Sequence, residues 1–286
     1  MGHGGYDVNA AVNRSTTMKY ASASIGEVFK SKAITSKMNP RNVAIRESRD
    51  NAEHPNSFAI VIGLDITGSM GSIPHYLLAT GLPHIMETIF QSGEKDPQIL
   101  FTAVGDHFTD RSPLQVGQFE SSDELLDKWL KDTFVEGGGG GNGGESYHLA
   151  WYFAGKHTAI DCFEKRGRKG LLFTIGDEPV HNALSEDQVR AIMGDGVFQS
   201  FSAAQLLEKA RETYDVYHIH CGFTASGSEK RVKDGWKELM GNNVLMAKTQ
   251  EEVASLIAST VVKHKADGST FSAPVALPDA SSDEIL

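Results

Sequence analysis

Between residues 58 and 265 the chain alternates apolar runs with amphipathic stretches. The runs at 58–64 (FAIVIGL), 98–104 (QILFTAV), 169–175 (KGLLFTI) and 215–222 (DVYHIHCG) read as buried strands. A parallel strand covered on both faces loses the polar alternation of a half-exposed one. Apolar spacing of the helical kind predicts helices over 73–90, 145–158, 185–193, 202–214, 228–240 and 249–265, and another that runs to about 131 behind the Ser121–Glu124 cap. Gly81 and Pro83 fall inside the first of these. Proline lacks the N–H and crowds the preceding turn, so a kink or break is expected there. Residues 114–119 alternate and read as an edge strand, and 243–247 as a short strand. Strands alternating with helices predict an α/β fold: a doubly wound, mostly parallel central sheet, Rossmann-like, with helices on both faces. Outside 58–265 the pattern stops. Residues 1–57 read as an arm that packs over the domain or is partly ordered, and 266–286 as a flexible, polar, proline-broken tail.

Sheets of this kind bind ligands beyond the carboxyl ends of their strands. The first strand runs into Asp65-Ile66-Thr67-Gly68-Ser69, which sets three oxygen-bearing side chains at i, i+2 and i+4 on one tight turn. A carboxylate with two hydroxyls suits hard cations such as Mg²⁺, Mn²⁺ or Ca²⁺. The strand at 169–175 ends at Gly176-Asp177-Glu178-Pro179. The fold therefore collects Asp65, Thr67, Ser69 and Asp177 at one edge. The first turn also reads as a helix start, with Ser69 or Ser72 as cap and Pro74 near the first turn, and both roles fit together. The glycine run at 137–144 (GGGGGNGG), closed by Glu145 and Ser146, suits a linker or a backbone that must approach something closely. Asp106 and Asp110 read as surface-loop acids and His148 and His181 as rim contacts. His218 and His220, with Cys221 beside them, read as buried or strand-end histidines, because no third metal ligand stands at a sensible spacing.

D-x-[ST]-x-S after a hydrophobic strand resembles the metal-ion-dependent adhesion site (MIDAS) of von Willebrand factor type A (vWA) domains. It stands here as DITGS, followed by Met70 and Gly71. The resemblance covers about 58–265. It implies first-loop ligands Asp65, Thr67 and Ser69, and a third-loop aspartate matched by Asp177 in IGDEP. The family's second-loop ligand is most often Thr, which the glycine run lacks. The run is similar instead to that of integrin β subunits and some bacterial members, where a glutamate opening the next helix reaches the metal. Glu145 matches that position, with Asn142 as an ancillary ligand or donor and Ser146 as the alternative. Glu145 also reads as a plain N-terminal helix charge. The resemblance implies Mg²⁺, with Mn²⁺ or Ca²⁺ also suited, and at least one of the three acids acting through water. A coordination position is thereby left for an acidic group on a protein partner. The form of the motifs is similar to prokaryotic or phage intracellular members of the family.

Composition narrows the function classes. The formal net charge is −10, which argues against a nucleic-acid-binding face. No run reaches the roughly 18 apolar residues of a membrane span. Two cysteines imply no disulfide framework, and the first residues lack the charged head and apolar stretch of a signal peptide, so a cytoplasmic setting is expected. The expected function is a non-enzymatic, metal-dependent protein-binding module, an adaptor or a component of an intracellular assembly. An assembly protein self-associating through its termini is the alternative, with Asp279, Asp283 or Glu284 of the tail reaching another subunit's site. A phosphatase of the haloacid dehalogenase type needs a second acid two residues after its nucleophile, and Thr67 stands there, which makes Asp65 a ligand and not a nucleophile. The glycine run also lacks the G-K-[ST] of a phosphate loop.

Overall fold

The computed structural model describes residues 4–268 apart from 71, 139–141, 195, 197 and 198. The C-terminal tail expected at 266–286 lies outside the described residues beyond 268, as does the middle of the glycine run. Four long strands build the centre: β2 (Phe58–Asp65), β3 (Pro97–Val104), β6 (Gly170–Gly176) and β9 (Tyr214–Cys221). The shorter strands, numbered in chain order with them, are β1 (Arg46–Ser48), β4 (Leu114–Val116), β5 (Thr158–Ile160), β7 (Ala183–Leu184), β8 (Phe201–Ser202) and β10 (Val244–Ala247). The central sheet has the order β10-β9-β6-β2-β3-β4. All its pairs are parallel except β3 with β4, which is antiparallel and forms the edge. Every residue of β2, β3 and β6 is buried, as their unbroken apolar runs require.

The helices before β3 are α1 (Val8–Thr17), α2 (Ile25–Val28), α3 (Ser72–Tyr76) and α4 (Leu82–Gln91). Those that follow are α5 (Asp123–Asp132), α6 (His148–Lys156), α7 (Asp161–Glu164), α8 (Glu186–Met193), α9 (Ala203–Arg211), α10 (Lys230–Met240) and α11 (Gln250–Gly268). Helix α4 packs on α11 in one layer and α6 on α9 in the other. Together they give the doubly wound α/β architecture. Large side chains such as Trp151, Trp236, Tyr147, Phe58 and Phe173 are fully enclosed, each worth roughly 1.5–3 kcal/mol in removal from water. Among the described residues no helix is long and apolar enough to cross a membrane.

The expected kink near Gly81 and Pro83 takes a specific form. Between α3 and α4 the backbone makes one π-turn, Leu77–Gly81, with the Leu82 N–H on the Leu77 carbonyl. Pro83 has no N–H to offer the Ala79 carbonyl one turn earlier. That carbonyl accepts instead from the Ser15 hydroxyl of α1 at 2.6 Å. The vacated bond thus becomes an anchor for the N-terminal segment. Residues 4–57 lie over the domain: Arg14 pairs with Asp123, the Tyr20 hydroxyl reaches Asp127 at 3.2 Å, and β1 pairs in parallel with β5. Met38 is fully buried, and its carbonyl accepts from the N–H of Val116 on edge strand β4 at 2.9 Å.

The helix expected over 145–158 begins later. Helix α6 starts at His148. Glu145 lies ahead of it in a loop, bridged to Val180: its N–H donates to the Pro179 carbonyl at 2.8 Å and its carbonyl accepts from His181 N–H at 3.1 Å. Glu145 therefore stands ahead of α6 rather than inside it.

Candidate metal centres at the carboxyl edge of the sheet

Register brings the strand tips together. Asp65 stands opposite Val104 across β2 and β3, and Leu64 opposite Ile175 across β2 and β6. Asp65, Asp106 and Asp177 therefore issue from three adjacent strands at one edge. All three are buried.

Asp65 Oδ1 accepts from the Thr67 N–H at 2.9 Å and the Thr67 hydroxyl at 2.6 Å, so the first turn folds on its own carboxylate. Asp65 Oδ2 accepts from the Tyr147 hydroxyl at 2.6 Å. The Ser69 hydroxyl donates to Asp177 Oδ1 at 3.2 Å, tying the first loop to the loop after β6. Burial pushes the Asp65 carboxyl up to about 7 against the hydrogen bonds from Thr67 and Tyr147, and Asp177 adds to the rise. Burial pushes Glu145 up to about 10, helped by the negative charges of Asp65, Asp106, Asp110 and Glu178. Two carboxylate oxygens in this group, Glu145 Oε2 and Asp177 Oδ2, are buried without a protein hydrogen-bond partner. Such atoms are costly unless something positive meets them.

The structure thus brings together two hydrogen-bonded pairs, Asp65 with Thr67 and Ser69 with Asp177, close enough for Asp177 to act on Asp65, and sets the Glu145 carboxyl in the field of Asp65. Two second-loop residues sit elsewhere. The Ser146 hydroxyl is engaged by His107, and the Asn142 side-chain amide donates to Asp106 Oδ2. The glycine run makes the close approach that its composition allows: the Gly68 N–H donates to the Gly138 carbonyl at 3.1 Å.

Tyr147 was hidden in the sequence. Its position follows from α6, where Ala150 packs on Gly63 of β2, and a Cβ at Gly63 would lie 3.3 Å from the Ala150 Cβ. At Gly176 a Cβ would lie 2.0 Å from the Tyr147 hydroxyl oxygen, so only glycine leaves room for that ring.

A second group adjoins the first. Asp106, expected as a surface acid, is fully buried, whereas Asp110 is half-buried and turns its Oδ2 to the Asp106 N–H at 2.8 Å. Asp106 Oδ1 accepts from the Phe108 N–H at 3.0 Å and lies 2.9 Å from His181 Nε2. His107 Nδ1 lies 2.6 Å from the Ser146 hydroxyl, and its Nε2 is buried without a partner. Asp106, His107 and His181 each offer a ligand atom within 4.8 Å of the other two, and this group could hold a metal ion. Among the described residues Asp65, Glu145 and Asp177 do not meet that spacing. Burial, with the nearby His181, lowers His107 to about 4 against the pull of Asp106, which keeps its imidazole neutral at neutral pH. The adjacent Asp-His pair beyond β3 was a readable signal, but its partner stands 74 residues from His107 along the chain.

His218 and His220 are core residues. His218 stacks on Trp236 with ring centroids 3.5 Å apart and meets the Thr174 hydroxyl at 3.0 Å; His220 Nε2 faces the Gly227 carbonyl at 2.8 Å.

No protein-family model and no curated protein matches this sequence. Among solved structures, the chain is similar to the pilus adhesin SpaC from Lactobacillus rhamnosus GG in its open conformation, with a TM-score of 0.46 and 10% identity over 76% of this chain and 31% of that one. It is also similar to proximal thread matrix protein 1 of the mussel byssus, with a TM-score of 0.43 and 11% identity over 73% of this chain and 48% of that one. The chain spans less than half the length of either protein.

Proposed function

We propose that this chain is a vWA-type, metal-dependent protein-binding module that grips an acidic group on a partner. The observation that carries the reading is the pair of buried carboxylate oxygens, Glu145 Oε2 and Asp177 Oδ2, left without partners beside the Asp65–Thr67–Ser69 turn. Oxygen donors of this kind fit a hard divalent ion, Mg²⁺ first and Mn²⁺ or Ca²⁺ next. Asp65, Thr67, Ser69, Glu145 and Asp177 are the residues that would hold it. Bound there, the ion supplies a Lewis-acidic point of attachment for a carboxylate. The protein does the rest: Tyr147 and the Thr67 N–H fix the orientation of Asp65, and Ser69 fixes that of Asp177. We assign the protein no catalytic role, because Thr67 stands where a phosphoryl-transfer enzyme of similar layout needs a second acid. Cys162 and Cys221 are both buried and unpaired, in keeping with a reducing, cytoplasmic setting.

The test is thermal melting of chelator-stripped protein titrated with Mg²⁺ alone. At an ion concentration tenfold above Kd the wild type should gain about 1.4 kcal/mol, a rise of a few degrees in Tm. Asp65→Ala should gain nothing. Equal responses of the two proteins would refute the site. A pull-down with both forms then identifies partners that depend on the ion.

A further inference from the structure

We propose that Asp106, His107 and His181 form a second ion site, selective for a divalent transition metal of the Zn²⁺ class. It is built from different residues than the oxygen-lined group around Asp65. The donor set decides the class of ion. Two imidazole nitrogens with one carboxylate oxygen suit Zn²⁺, Co²⁺ or Fe²⁺ and poorly suit Mg²⁺, which prefers oxygen and gives up its water reluctantly.

The geometry is close to what such an ion requires. Two ligands each about 2.1 Å from a tetrahedral ion lie about 3.4 Å apart. His181 Nε2 and Asp106 Oδ1 are 2.9 Å apart, and Asp106, His107 and His181 each place one ligand atom within 4.8 Å of those of the other two. A divalent ion can replace the proton between His181 and Asp106 with small side-chain shifts. Of the two His107 ring nitrogens, Nε2 is the one that is buried without a partner, and it is assigned as the ligand.

The surroundings hold each ligand from behind, as metal ligands are usually held. The Thr109 hydroxyl at 3.1 Å and the Asn142 amide fix Asp106 Oδ2. The Ser146 hydroxyl faces His107 Nδ1; with Nδ1–H donating to it, the Nε2 lone pair is free for the ion. A Cβ at Gly144 would lie 2.9 Å from His181 Nδ1, so that edge of the ring lies against the Gly144 backbone while Nε2 turns to Asp106. His148 is a neighbour and not a ligand: its ring is 5.5 Å from that of His107 and its Nε2 lies 3.3 Å from the Ala183 carbonyl. Three protein ligands leave at least one position for water or an external group, as in open zinc sites. Phe108, 62% exposed and edge-on to His181 at 4.9 Å, flanks the site on the solvent side.

The experiment uses the full chain, stripped with a chelator and kept in excess Mg²⁺. Zn²⁺ binding is followed by calorimetry and Co²⁺ binding by visible absorption. One Zn²⁺ per chain should bind despite the Mg²⁺, and Co²⁺ should give the spectrum of a nitrogen-ligated ion. His107→Ala and His181→Ala should each weaken Zn²⁺ binding by about 100-fold or more, with circular dichroism unchanged. Asp106→Asn keeps the shape of the side chain and should still weaken binding at least about tenfold, which covers the case of a poorly folding histidine variant. Asp65→Ala should still bind one Zn²⁺ per chain. Displacement of Zn²⁺ by Mg²⁺, wild-type affinity in the histidine and Asp106 variants, or loss of binding in Asp65→Ala would each overturn the proposal. Failure of the Mg²⁺ melting test leaves this one standing, because the two use different ions and different variants.

Discussion

The Tyr147 hydroxyl holds the end of Asp65 that Thr67 does not. It donates to Asp65 Oδ2 at 2.6 Å and accepts from the Glu178 N–H at 3.4 Å, so one phenol links the loops after β2 and β6. Removing it leaves a buried carboxylate oxygen with nothing to replace the bond. Tyr147→Phe should therefore lower stability by about 1–3 kcal/mol, measured by denaturant unfolding, with no change in the slope of the transition. A variant as stable as the wild type would mean that the bond contributes nothing. At this scale the sequence was readable where chemistry follows a strand. Asp65, Thr67 and Ser69 share one turn, and Asp177 ends a strand of the same kind. Tyr147 was not readable, because it stands between Ser146 and His148 with no motif of its own, and its approach to Asp65 depends on how the start of α6 packs on β2 and β6. The grouping of Asp106 and His107 with His181 was equally out of reach, since it depends on how the loop after β3 meets the loop after β6.

At the scale of elements, the four long apolar runs each became a central strand because burial on both faces demands that composition. The three-residue pairing of β1 with β5 has no such signature: Arg46–Ser48 pairs with Thr158–Ile160, and just past the two strands Asp161 accepts from Arg49 and from the Asp50 N–H. The Asp50 side chain extends those contacts. Its Oδ1 accepts from the Ser57 N–H at 3.0 Å and hydroxyl at 2.8 Å, and its Oδ2 from Arg166 at 2.7 Å. Burial alone would raise its carboxyl, and the hydrogen bonds with the Arg166 charge outweigh that, holding it near 2 instead of its ordinary 3.8. A carboxyl with a depressed folded-state value binds its proton more readily when unfolded. Its contribution is therefore complete above about 4 and disappears as the pH falls toward 2. Asp50→Asn should melt a few degrees below the wild type at pH 7, and the gap should close across that acid window. A gap that stays constant from pH 7 to pH 2 would assign the effect to something other than charge.

Across the whole molecule, the N-terminal segment covers part of one edge of the central sheet. The edge strand β4 has its Val116 N–H taken by Met38, while β1 pairs with β5 in a separate two-stranded sheet. An uncovered edge invites pairing with other chains. Deleting residues 1–45 should lower the melting temperature and produce concentration-dependent aggregation, read by light scattering. A truncated chain that stays monodisperse and as stable as the parent would show that the segment is dispensable. This role was not legible in the sequence, because residues 1–57 have no sustained apolar period and are held by single anchors such as Met38, Ser15 and Tyr20. The two candidate ion sites also meet in one place. Glu145 and Ser146 are joined by a single peptide bond, yet the first sets its carboxyl in the field of Asp65 and the second braces His107. Any reorientation of that peptide on loading one site is transmitted to the other. Thermodynamic reciprocity then sets the rule: whatever factor one ion imposes on the affinity of its neighbour, the neighbour imposes in return.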